Sequence, residues 1–131
     1  MKKSLYKQHN NLFKFENEYN TKLYEKLLIM MEKCNIIEFG DCYDQNVDNL
    51  YLNLKIIIFG LNFNRTVNKF PTQLEAIEFG EYFNKKVNNL PSSLYSLYIQ
   101  SAFNEKVDKL PSKLKELTIL GTFKMYPIVT I

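Results

Sequence analysis

Residues 77–94 read Ile77-Glu78-Phe79-Gly80-Glu81-Tyr82-Phe83-Asn84-Lys85-Lys86-Val87-Asn88-Asn89-Leu90-Pro91-Ser92-Ser93-Leu94. The same pattern returns 20 residues earlier, from Ile57 to Leu74, and 20 residues later, from Leu97 to Leu114. A fixed period of this length marks a chain that builds its core by stacking one small unit on the next.

Working outward from that stretch, the columns keep register without an insertion. Phe39, Phe59 and Phe79 are continued by Ile99 and Ile119. An aromatic column runs Tyr43, Phe63, Phe83, Phe103, Phe123, and beside it stand Asp44, Asn64, Asn84 and Asn104. Val47, Val67, Val87 and Val107 follow, then Pro71, Pro91 and Pro111, with Leu54, Leu74, Leu94 and Leu114 behind them. The copies are therefore 31–50, 51–70, 71–90, 91–110 and a partial 111–123. Residues 1–30 are left as an N-terminal extension and cap, and 124–131 as a C-terminal cap or tail.

Within a copy, Leu74-x-x-Ile77-x-Phe79 has the spacing of a leucine-rich-type strand. Alternation turns Ile77 and Phe79 inward and Ala76 and Glu78 outward. The expected fold is a leucine-rich-repeat-like solenoid of stacked parallel β-strands. Too few residues separate Phe83 from Leu94 for a helix of useful length, so irregular or 3₁₀ return segments are expected. Gly40, Gly60 and Gly80, just past each strand, point to a positive φ or to close backbone approach. The prolines suit an extended return segment that needs no backbone donor.

Two readings fit the segment before the first copy. Leu23, Leu27 and Met30 recur at helical spacing, with Asn20 or Thr21 placed to cap, which predicts a short N-terminal capping helix over 22–33. Alternatively Tyr19, Leu23, Leu27 and Met30 continue the 20-residue register as a degenerate coil.

These residues resemble the FNIP repeat, a relative of the leucine-rich repeat marked by Phe-Asn, an aliphatic, Leu-Pro-x-x-Leu and a strand ending in Phe-Gly. The likeness spans roughly residues 31–123. It departs in its short unit, in Val where Ile-Pro is usual, and in a worn first copy with Tyr43-Asp44 and Tyr51. Such repeats are typical of social amoebae and of the giant viruses that infect them, which agrees with a composition rich in Asn, Lys, Ile, Tyr and Phe. The resemblance implies a protein-binding module. It does not imply a ubiquitin role, since residues 1–30 are too short for the F-box that often precedes such repeats.

In a repeat protein the columns that recur serve the fold, and those that vary are free to serve a partner. Phe63, Phe83, Phe103 and Phe123, with Asn64, Asn84 and Asn104, are accordingly a structural ladder. The outward strand positions form two varying rows: Ile36, Ile56, Ala76, Ser96 and Glu38, Ile58, Glu78, Tyr98. Contiguous apolar surface at Ile36, Ile56 and Ile58 marks either a site for an unidentified protein partner or a patch hidden by residues 1–20 or by a second copy. The apolar tail Tyr126–Ile131 keeps a homodimer through the solenoid ends in view.

Other classes find little support. A net charge of +3, with Arg65, Lys69, Lys85, Lys86, Lys106 and Lys109 interspersed among acids, reads as a solvated ridge and not a nucleic-acid footprint. Cys34 and Cys42 lack metal-ligand spacing and are expected to be reduced thiols, so no metal or cofactor is expected. His9 stands alone in a polar stretch, and Glu38 and Glu78 would sit unshielded on a flat sheet, so no enzyme is expected. No apolar run is long enough to span a membrane, and Met1-Lys2-Lys3 is followed by polar residues unlike a secretory leader. A cytoplasmic protein is the expectation (host cytoplasm, if viral).

Overall fold

The computed structural model describes residues 4–50 and 53–121, together with the backbone of 124–125. Short strands line up in one sheet, the first two supplied by a hairpin and each of the rest by a successive coil of the chain. They are β1 (Tyr6–His9), β2 (Leu12–Phe15), β3 (Ile36–Glu38), β4 (Ile56–Ile58), β5 (Ala76–Phe79), β6 (Ser96–Ile99) and β8 (Glu116–Ile119). From β2 onward every pairing in this sheet is parallel, with Ile56 beside Ile36 and Ala76 and so on along the row. The expected solenoid of stacked parallel strands is present. On the return side, β7 (Lys106–Val107) pairs with β9 (Lys124–Met125) in a second small ladder.

Apart from that ladder and a helix in the first coil, the return segments are turns and irregular chain, with no 3₁₀ helix among the described residues. The prolines open tight turns: Pro71, Pro91 and Pro111 each accept at their carbonyl the N–H of the leucine three residues on. A second turn follows most strands, as where Phe83 N–H donates to Gly80 O.

Gly40, Gly60 and Gly80 have no positive φ. Their role is the close approach of neighbouring coils: a Cβ on Gly60 would be driven into the carbonyl of Gly40, and one on Gly80 into the carbonyl of Gly60.

Rings fill the interior in two columns. Phe15, Phe39, Phe59 and Phe79 stack at centroid separations of 5.1, 5.4 and 5.2 Å. Phe63, Phe83 and Phe103 stack at 6.3 and 6.1 Å, and Phe59 lies 3.9 Å from Phe63 within one coil. All are buried, so each contributes on the order of 1.5–3 kcal/mol of transfer free energy. Phe123, placed in this column by sequence, lies outside the described residues.

The Asx column is a ladder in the literal sense. The side-chain oxygen of each member accepts the backbone N–H of the next: Asp44 to Asn64 and Asn64 to Asn84 at 2.9 Å, Asn84 to Asn104 at 2.8 Å. These side chains lie at a corner of the coil, half-buried at Asp44, Asn64 and Asn84 and exposed at Asn104. They satisfy donors that the turn leaves without strand partners.

The N-terminal segment combines the two readings and corrects details of both. The helix α1 runs Glu25–Met31, shorter than 22–33, and its N-cap is Tyr24, with no side-chain cap from Asn20 or Thr21. The chain around it is also a coil, offset by 24 residues and not 20. Phe15 stacks on Phe39, Tyr19 stacks on Tyr43 at 6.0 Å, and Asn20 Oδ1 accepts Asp44 N–H at 2.9 Å. A second Asx ladder begins here too, Asn17 Oδ1 accepting from Asp41 N–H and Asp41 from Leu61 N–H.

Candidate functional site

The outward rows of the sheet are where strand alternation puts them. Ile36, Glu38, Ile56, Ile58, Ala76, Glu78, Ser96 and Tyr98 are all half-buried, while the residues between them are buried. Parallel pairing brings Ile36 beside Ile56 and places Glu38, Ile58, Glu78 and Tyr98 in a single row. Among the described residues the isoleucines are shielded by their neighbours in the row and by no overlying layer.

Among the described N-terminal residues none covers this face. Residues 6–15 form an antiparallel hairpin that extends the sheet in its own plane, Tyr6 opposite Phe15 and His9 opposite Leu12. Leu12 and Lys14 thereby lengthen the two outward rows. Sequence reasoning missed both, since the 24-residue offset hides them from a 20-residue register.

Two depressions interrupt the face. Small side chains at Ala76 and Ser96 leave a groove of about 480 Å³, walled by Ile56, Tyr95, Lys113 and Glu116. Tyr95 is 50% exposed at its rim. At the other end of the strands, a trough of about 210 Å³ runs over Gly40, Gly60 and Gly80. Glu38, Asp41, Glu78 and Glu81 line it, with Lys14 as the cation among its lining residues.

Lys14 Nζ lies 2.9 Å from Glu38, and that hydrogen bond, with the attendant charge attraction, holds the ammonium above its ordinary pKa. Lys55 pairs with Glu75 at 3.1 Å. Glu81 accepts a hydrogen bond from the Ser101 hydroxyl. On the back, Arg65 pairs with Asp44 at 3.4 Å and Lys106 with Asp108 at 3.5 Å, the interspersed ridge the sequence suggested.

Elsewhere the chemistry is quiet. Burial pushes the phenols of Tyr19 and Tyr43 upward, and within the described residues neither hydroxyl has a hydrogen-bond partner. Cys34 is buried and its thiol is pushed up by burial, although Gln8 offers it a weak hydrogen bond; Cys42 is exposed, and both are free thiols. Among the described residues no cluster of three His, Cys, Asp or Glu side chains could hold a metal. No helix there is long and apolar enough to cross a membrane.

The coils, ladders and free strand face define the class: a leucine-rich-repeat-like solenoid. The fold is shared with a solved giant-virus structure, CroV588, described as a novel circular LRR protein. The two align with a TM-score of 0.80 and 34% identity over 93% of this chain. The chain spans 19% of the length of that protein. No family model and no curated protein matches the sequence.

Proposed function

We propose that the protein is a non-enzymatic, protein-binding solenoid of FNIP-like repeats whose contact surface is the exposed strand face. Leucine-rich-repeat-like solenoids commonly mediate protein–protein interaction. One observation carries the assignment to this face: the inward columns repeat from coil to coil, whereas the outward rows change residue and set Ile36, Ile56 and Ile58 side by side with none of the described residues laid over them. A solenoid has no structural need for isoleucine at those positions, because the following coils carry Ala76 and Ser96 in the row of Ile36 and Ile56, and Glu78 and Tyr98 in the row of Ile58. The Asp replacement of both Ile56 and Ile58 tests it. Thermal stability should change by no more than about 1 kcal/mol, while a partner co-purifying with the wild-type chain is lost. A fall of several kcal/mol would place the isoleucines in the core instead and remove the site.

A second reading, self-assembly through an open end, has its own support. β8 is the last strand of the sheet, its Leu117 and Ile119 are only half-buried, and Leu120 is 56% exposed. At the opposite end the edge strand is β1, where Lys7, Gln8 and His9 are exposed and polar. Light scattering across a dilution series separates the readings: a monomer throughout favours the strand face, a concentration-dependent dimer the β8 end.

A further inference from the structure

We infer that the strand face is shaped for a cationic partner: an extended segment of another protein that sets an apolar side chain in the groove beside Ala76 and Ser96 and lays lysine or arginine over the trough at the glycine column. The inference rests on the reading of the strand face as the contact surface and adds the partner's chemistry.

The trough is locally acidic on a chain of positive net charge. The whole carries +3, so a random patch should lean positive. Yet the trough is lined by Glu38, Asp41, Glu78 and Glu81 against Lys14. Lys14 pairs directly with Glu38 and reaches Asp41 only through longer-range attraction, and among the described residues no ion pair reaches Glu78 or Glu81. Lys69, Lys85, Lys86 and Lys109 lie on the return segments, away from the trough. A ledge of one sign beside an apolar strip steers and orients a partner of the opposite sign, while the strip supplies the buried contact.

The groove supplies the anchor point. Ile56 forms one wall and the half-exposed ring of Tyr95 another, over a floor that two small residues have emptied. An aliphatic or aromatic side chain seated there would be desolvated on several sides, which is the setting in which single residues dominate binding. Groove and trough lie at opposite ends of the same strands, so a segment crossing the sheet meets both.

The probes are two synthetic peptides of equal length, one alternating leucine with lysine and one alternating leucine with glutamate, read by fluorescence anisotropy with the full chain. The lysine peptide should bind more tightly at low salt, by about tenfold, and the preference should shrink as salt screens the ledge. Neutralising the ledge with Asp41→Asn, Glu78→Gln and Glu81→Gln together should abolish the preference; Asn keeps the oxygen that accepts Leu61 N–H. Ile56→Ser, which removes the apolar wall without adding charge and is checked for an unchanged thermal midpoint, should weaken both peptides. Binding lost in Ile56→Ser but indifferent to the ledge would overturn this inference and leave the strand-face reading standing. Lysine-peptide binding unaffected by Ile56→Ser would overturn both. Equal binding of the two peptides, or none by either, also overturns the cationic partner.

Discussion

The first coil, residues 12–35, and the coil that follows it perform one task with different lengths. Ten residues separate Leu23 from Cys34, where six separate Val47 from Leu54. The extra chain is spent on α1, and nothing else moves. Phe15 meets Phe39 at 5.1 Å as Phe39 meets Phe59 at 5.4 Å, and Asn20 serves Asp44 at the distance at which Asp44 serves Asn64. The difference teaches where the fold is rigid. The strand, the two rings and the Asx corner keep their contacts to the neighbouring coil, whereas the return segment absorbs the insertion while still burying Leu27 and Met31.

The largest test of that equivalence is ring truncation. Phe83→Ala should cost about 3–5 kcal/mol, and Phe15→Ala the same, since both rings are fully buried between neighbours. Denaturant melts measure both; a Phe15 variant losing less than about 1 kcal/mol would make the first coil a loose cap and not a rung. Next comes the glycine column. Gly60→Ala should destabilise by roughly 1–3 kcal/mol, because the intruding methyl meets backbone that cannot rotate away. Gln100→Ala, in the same column where a side chain already fits, should be nearly silent.

The ladder gives a smaller effect of the same form. Asn84→Ala and Asn20→Ala should each cost about 1 kcal/mol by orphaning one corner N–H, and the two losses should match if the 24-residue register is real. The smallest effect runs the other way. The first coils carry Tyr19 and Tyr43 where later ones carry Phe, and the Tyr43 hydroxyl is buried without a partner. Tyr43→Phe should therefore leave stability unchanged or raise it by up to about 1 kcal/mol in the same melts.

Much of this was legible beforehand because a repeat states its constraints several times over. The inward and outward rows followed from alternation, the ladder from recurrence of Asn64, Asn84 and Asn104, and close backbone approach was one of two readings of the glycines. The N-terminal rung was not legible at its true offset. Phe15, Tyr19 and Asn20 are its members, but a four-residue insertion on the return side breaks the period that reveals the others. Helical spacing of Leu23, Leu27 and Met30 then competed with the coil reading, and the molecule uses both.

The sequence by itself determined the period, the solenoid and the choice of residues for its interior, since each follows from a pattern that one-dimensional spacing carries in full. Only the tertiary structure decided that the hairpin lies in the plane of the sheet and leaves the isoleucines open. It also decided that the glycines serve close packing and not a turn conformation, and that a positively charged chain lines the trough beside its apolar strip with carboxylates. Those outcomes depend on which coil lies against which, and on how close they come, and neither is written in the spacing of residues along one chain.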